Sequence, residues 1–184
     1  MMNKNIAKPV LLTIIFKFLD VTILIRSLLI QTIVFIFIFN AVSMLRETSM
    51  LSTSADIVPA THELKTLSNN NITLHANGKK TIVYFFAPWC QVCNFSIDNL
   101  QSVYQKNPEL NVIAVALDFV DVEEVKKFTN NHQLTFPVAL GNESVKVDFQ
   151  VMGYPSYYVL NEENTIIGRS LGYSSEIGLY LRSL

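Results

Sequence analysis

Cysteine is scarce in this chain: Cys90 and Cys93 are the only two in 184 residues. Two cysteines exclude a disulfide-dense scaffold and a four-cysteine metal site. Charge is scarce as well, at 16% of residues, against about 25% in an ordinary globular domain. Because half the residues are hydrophobic, disorder is excluded as the main state. The net charge is −1. Without a basic stripe there is no electrostatic footprint for a nucleic acid. No internal repeat or low-complexity tract occurs. A chain of this length predicts one domain, at roughly 100–200 residues each.

The apolar excess is concentrated before residue 46. Residues 27–45 (SLLIQTIVFIFIFNAVSML) carry no charge. As a helix rising about 1.5 Å per residue they span roughly 28 Å, the thickness of a bilayer core. Lys4, Lys8, Lys17 and Arg26 precede them against the single acid Asp20, while Arg46 and Glu47 follow and cancel. The positive-inside bias places residues 1–26 in the cytoplasm and residues 46–184 across the membrane. The expectation is therefore a single-pass anchor in the plasma (inner) membrane with an extracytoplasmic, periplasmic-side domain. A cleaved signal peptide ending near Ala41-Val42-Ser43 is a rival, and a buried core helix is another. The TIVFIFIF run has no polar face, which a soluble helix needs. Residues 10–25 are also apolar but contain Lys17 and Asp20, three apart on one helix face. They read as an amphipathic, membrane-surface helix.

Residues 46–60 read as a polar linker ending near Pro59, and residues 61–184 as the folded domain. HELKTL and NITLHA are strand-like, with Asn77-Gly78 a turn signal after them. The apolar runs 81–87 (TIVYFFA) and 111–117 (NVIAVAL) predict buried strands. Between them Val92, Phe95, Ile97, Leu100, Val103 and Tyr104 follow a mostly helical spacing. Asp121 and Glu124 form an acidic version of a capping box ahead of a helix near 122–131. Residues 137–140 read as a loop and 142–149 as a short helix. SYYVLN and TIIGRSLG predict two more strands joined by a turn at 161–164, and Ser174 caps a last helix. This order implies an α/β fold with a mixed sheet, parallel in part and antiparallel at one edge.

Pro88-Trp89-Cys90-Gln91-Val92-Cys93 follows a buried strand and opens a helix. Two cysteines three apart in a first helical turn are close enough to bond. The first sits where free N–H groups and the positive end of the dipole favour a thiolate, the nucleophile of disulfide exchange. The second lies one turn inside and resolves the mixed disulfide. A bare C-x-x-C also fits half a zinc site or a structural bridge. His62, His75 and His132 do not stand at ligand spacing and read as surface or cap residues.

YFFAPWCQVC resembles the active-site strand and motif of the thioredoxin superfamily. The N-terminal anchor, the strand-like preamble and an extra segment near 120–149 are most similar to its membrane-anchored TlpA-like and ResA-like branch. The resemblance covers about residues 60–184 and implies a thioredoxin-like fold with a central mixed sheet flanked by helices, preceded by the transmembrane helix. It implies a thiol–disulfide oxidoreductase in which Cys90 attacks and Cys93 resolves, most often in the reducing direction. The implied partners are disulfide-containing or thiol client proteins and a transmembrane thiol electron donor. No nicotinamide, flavin or haem signature is present, so no cofactor is expected. In Met152-Gly153-Tyr154-Pro155-Ser156 the resemblance makes Pro155 a cis-proline beside the cysteine pair. The backbone of Tyr154 is then free to pair with an extended client. Trp89 is expected to cover Cys90.

Two departures stand out. Tyr84 occupies the place of a buried acid six residues before the first cysteine. Ser96 occupies the place of a glutamate three residues after the second. Asp98 or a water is the candidate substitute. The other phenylalanines (Phe85, Phe86, Phe119, Phe128, Phe136 and Phe149) read as core. Alternatives are a disulfide oxidant or isomerase, and a thioredoxin-fold copper chaperone, which the two-residue cysteine spacing disfavours. A thiol peroxidase would need a threonine where Ala87 stands.

Overall fold

The computed structural model describes residues 7–47, 49–54 and 63–184, with side chains described from Leu24 onward except Ser43, Met44 and Arg46. The chain divides into two compact units, Met1–Met44 and Leu45–Leu184.

The described part of the first unit belongs to one helix, α1 (Ala7–Glu47), rather than a surface helix followed by a separate span. From Val10 to Glu47 there is neither glycine nor proline, so nothing in the backbone interrupts it. Within it Leu24–Val42 is long and apolar enough to cross a membrane, shifted three residues from the stretch of 27–45. Its apolar side chains are exposed all round. Two of its polar side chains bond back to the helix: Thr32 Oγ1 donates to Leu28 O at 2.8 Å and Asn40 Nδ2 to Ile36 O at 2.7 Å. That is how a spanning helix satisfies polar groups without water. The pairing of Lys17 with Asp20 lies outside the described side chains.

In the second unit β1 (Glu63–Lys65) and β2 (Asn71–Thr73) form a small antiparallel hairpin. Asn77 and Gly78 both have positive φ, 45° and 74°, in the turn that Lys79 N closes onto Ala76 O. The chain then enters β3 (Thr81–Phe86), α2 (Gln91–Lys106), β4 (Asn111–Ala116), α3 (Val122–Asn131), β5 (Val138–Leu140) and α4 (Glu143–Asp148). Strands β6 (Ser156–Leu160) and β7 (Ile166–Leu171) and helix α5 (Glu176–Arg182) complete it. The main sheet runs β5-β4-β3-β6-β7. Strands β3, β4 and β5 are parallel, and β6 and β7 are antiparallel additions.

Strand β3 is central and wholly buried. Its alternate residues serve two cores. Ile82, Tyr84 and Phe86 face Ile97 and Leu100 of α2, Val125 and Phe128 of α3 and Leu179 of α5. Val83 and Phe85 face Leu64, Leu74, Val145 and Phe149. Burying each large apolar side chain contributes roughly 1.5–3 kcal/mol over leaving it exposed. A strand dry on both faces therefore reads as a continuous apolar run.

Three expectations change. Residues 137–140 are not a loop: Val138–Leu140 pairs in parallel with β4. Three residues beside Pro137 and Gly141 are too short for a period to register. The cap of α5 is Ser175, whose Oγ accepts from Gly178 N; Ser174 is buried instead. The linker expected over 46–60 is in part packed chain. Met50 is buried, Arg169 Nη1 donates to Met50 O and Leu51 O at 2.9 and 2.6 Å, and Ser54 N donates to Ile166 O. Residues 55–62, with Pro59 and His62, lie outside the described residues.

Candidate active site

The parallel strands β3 and β4 end at the same edge of the sheet, and β6, running the other way, begins there. The loops after β3 and β4 and before β6 are thereby brought together. They carry Trp89-Cys90, Asp118 and Tyr154-Pro155 respectively.

Cys90 is the N-cap of α2, with extended backbone (φ −76°, ψ 114°), and its Sγ accepts from Cys93 N at 3.1 Å. A sulfur in the place of a capping oxygen receives one of the unsatisfied N–H groups of the first turn. Cys90 and Cys93 form a disulfide with Cα atoms 5.2 Å apart. Cys93 is fully buried and Cys90 exposes 6%, so the first sulfur is the one within reach of a partner. Negative charge left on Cys90 by reduction would meet the Cys93 N–H and the positive end of a 16-residue helix.

The Tyr154–Pro155 peptide bond is cis. Trp89 is 61% exposed. Its ring stands edge-on to Tyr154 at 5.9 Å. Its Nε1 donates to Asp118 O at 2.8 Å. Tyr154 Oη donates to Asp118 Oδ2 at 3.0 Å, and Lys146 Nζ reaches the same oxygen at 2.7 Å. Partial burial first, and then the bond to the Asp118 carboxylate, hold the Tyr154 phenol above the ordinary tyrosine range. The same carboxylate raises Lys146. Val92, Gly153, Tyr154, Leu171, Gly172 and Tyr173 line a cavity of about 530 Å³ between the motif and the β7 end.

Behind the cysteines, Tyr84 is buried and its hydroxyl finds no hydrogen-bond partner. Burial pushes its phenol well above the ordinary value; the adjacent Ser96 hydroxyl offsets only part of this, and Tyr157 adds to it. Ser96 is itself engaged, accepting from Ser174 N at 3.3 Å and lying 3.4 Å from Ser174 O.

Asp98 does not replace the missing acids directly. Its side chain is 67% exposed and pairs with His132 Nδ1 at 2.8 Å. His132 Nε2 meets Asn94 Oδ1 at 3.0 Å, and Asn94 Nδ2 donates to Cys90 O at 3.0 Å. His132 is the C-cap of α3, as a cap reading expects. Its ring also packs on Phe128, 4.7 Å between centroids.

Sequence reasoning missed Asp118, Lys146 and Asn94. Asp118 had one usable signal: it follows an apolar strand of a partly parallel sheet, at the carboxyl end where such sheets place ligands. Val92 and Phe95 are a correction. The buried positions of α2 are Cys93, Ser96, Ile97, Leu100, Gln101 and Val103, a tighter helical stripe than the apolar residues alone suggest. Phe95 is 72% exposed, and Val92, Trp89, Met152 and Tyr173 are exposed as well.

Comparison with known proteins places these observations in a family. The model of the family described as the AhpC/TSA family matches residues 56–169. The chain is 33% identical over 108 residues to the thioredoxin-like protein YneN of Bacillus subtilis, covering 56% of this chain and 63% of that protein. It is 28% identical over 112 residues to the thiol-disulfide oxidoreductase ResA of Bacillus thuringiensis, covering 58% and 64%. The chain thus spans less than two thirds of either relative's own length. The crystal structure of StoA from Bacillus subtilis superimposes with a TM-score of 0.62 at 25% identity, covering 69% of this chain and 98% of StoA. The fold is thioredoxin-like, and the similarity to ResA-like proteins read from the motif is met by a relative of that name.

Proposed function

We propose, because this chain belongs to the AhpC/TSA family, that it is a membrane-tethered thiol–disulfide oxidoreductase that reduces disulfides of extracytoplasmic client proteins. The observation that carries this reading is the placement of Cys90: N-cap of α2, sulfur on the Cys93 N–H, nearly buried, bonded to a fully buried Cys93. The similarity to a thiol-disulfide oxidoreductase supports it.

The exchange runs in two balanced steps. In the reduced protein the Cys90 thiolate attacks one sulfur of a client disulfide. A Cys90–client S–S bond forms, the client bond breaks, and the second client sulfur leaves as a thiolate. Cys93, having lost its proton, then attacks Cys90 Sγ. The Cys90–Cys93 bond forms and the first client sulfur leaves as a thiolate. Two electrons pass to the client and two protons are taken up there. A thiol donor, reached across the membrane, returns the pair to the dithiol. The groove between Val92, Tyr154 and Tyr173 receives the client chain. The Leu24–Val42 helix holds the domain at the membrane, with Lys4, Lys8 and Lys17 against Asp20 ahead of it favouring a cytoplasmic N-terminus.

Replacing the resolving cysteine tests the mechanism. Cys93→Ser in the full chain, expressed in its membrane, is expected to accumulate clients as mixed disulfides through Cys90, released by dithiothreitol. No trapped species under conditions where client disulfides form normally would overturn the exchange reading.

A further inference from the structure

We propose that Asp118 is a positioning residue for the exchange site, tying together the two loops that flank the cysteine pair so that Trp89 and Tyr154 act as one wall of the client groove. The proposal rests on the exchange reading above, which supplies the client; the contacts themselves do not depend on it.

Asp118 lies just beyond the end of β4 and has left-handed backbone, φ 49°. Aspartate tolerates that region better than most residues. In that conformation the residue faces two ways. Its carbonyl accepts from the Trp89 indole at 2.8 Å, and Trp89 is the immediate neighbour of Cys90. Its carboxylate accepts from the Tyr154 hydroxyl at 3.0 Å, and Tyr154 is the immediate neighbour of Pro155. Lys146 of α4 donates to the same carboxylate oxygen at 2.7 Å. One residue therefore joins the loop after β3, the loop before β6, and the extra helix.

An aromatic ring 61% exposed gains little from burial and is free to sample rotamers. Here the indole N–H is bonded and the ring edge rests on Tyr154. Tyr154 is in turn fixed by a charge-assisted bond, the stronger kind. Ordering these side chains before a client arrives removes an entropy cost from binding. Lys146 keeps the Asp118 charge partnered, so the carboxylate is not drawn toward a client. The bulk of Tyr154 is thereby a constructed wall rather than an obstruction.

Trp89 is the sole tryptophan of the chain, so its fluorescence reports this contact alone. The test uses the full chain in detergent, wild type against Asp118→Ala, Asp118→Asn and Tyr154→Phe. Two disulfide probes are used: insulin, which needs a groove, and 5,5′-dithiobis(2-nitrobenzoate), which does not. Asp118→Ala is expected to lower Trp89 anisotropy and shift its emission to the red. It is expected to raise KM for insulin by about tenfold, the scale of one lost charge-assisted hydrogen bond. The kcat for insulin and the rate with the small disulfide should stay within about threefold. Asp118→Asn keeps both an acceptor and the backbone preference, and is expected to recover most of the anisotropy. Tyr154→Phe should raise KM in the same direction, and combining it with Asp118→Ala should add little, because both remove one contact. The combination also guards against a single variant that fails to fold. Unchanged Trp89 anisotropy and unchanged insulin KM in Asp118→Ala overturn the proposal, as do additive effects of the two substitutions. If the wild type exchanges with neither probe, the exchange reading falls instead. The client role of Asp118 falls with it, and the fluorescence then decides only whether Asp118 holds Trp89.

Discussion

Replacing Tyr84 by phenylalanine removes one oxygen from the least accommodated polar position in the domain. The Tyr84 ring is fully buried, stacked on Tyr157 at 6.4 Å, and its hydroxyl, though beside that of Ser96, makes no hydrogen bond of good geometry. An unsatisfied buried polar group costs about 1–3 kcal/mol. Phenylalanine keeps the ring and its packing. The small void left by the oxygen takes back some of the gain, at about 24 cal/mol per Å³. The net expectation is a stabilisation of about 1 kcal/mol, read as a Tm rise of roughly 4 °C for a domain of this size. The pH dependence follows from the raised phenol. Tyrosine in the unfolded chain ionises near pH 10, whereas Tyr84 in the fold stays protonated above that. Above about pH 10 the unfolded chain therefore gains by ionising while the fold does not, and folding stability falls as pH rises from there toward the folded value. Wild type should lose more stability than Tyr84→Phe between about pH 9 and about pH 11. Tyr154 and Tyr158, also raised, act in the same direction in both proteins. Thermal melts of the two full chains across that range are the assay. A Tm that falls by several degrees in Tyr84→Phe at neutral pH would refute the reasoning, because it would show the hydroxyl to be bonded.

Phe95→Ser is expected to leave stability within about 0.5 kcal/mol, as for an exposed position, while slowing exchange with a protein disulfide more than with a small one; equal effects on both would remove Phe95 from the client surface. Gly141→Ala should destabilise by about 1–3 kcal/mol through overpacking. Its Cβ would lie 2.6 Å from Leu117 Cδ2, 2.7 Å from Val115 Cγ1 and 3.0 Å from Ala116 O. A denaturant midpoint equal to wild type would show that the β4–β5 edge yields.

Much of the domain was legible because its signals are local. The runs at 81–87 and 111–117 contain the strands Thr81–Phe86 and Asn111–Ala116, buried but for Asn111, and the acidic box at 121–124 is a working cap. Asp121 Oδ1 accepts from Glu123 N, and Glu124 Oε2 accepts from Val120 N. What escaped was set by tertiary contact. Strand β5 is three residues long and exists through its pairing with β4. Val92 and Phe95 share the helical spacing of a core yet face outward, because Ser96 and Gln101 occupy buried positions that hydropathy assigns to the surface. Ser96 is closed by Ser174, and Gln101 by Thr135, whose Oγ1 accepts from Nε2 at 2.7 Å. Asp118 could not be paired with Trp89, Tyr154 and Lys146 from spacing, since each of the three lies 28 or more residues from it and meets it only at the sheet edge.

The most direct test of the central claim is the reduction potential of the Cys90–Cys93 pair in the full chain in detergent, equilibrated with dithiothreitol or glutathione buffers. The account predicts a value near or below about −250 mV, in the range of thioredoxin. A value above about −180 mV would contradict the reducing direction and indicate an oxidant or isomerase. Failure to form the Cys90–Cys93 disulfide at any poise would contradict the exchange chemistry itself.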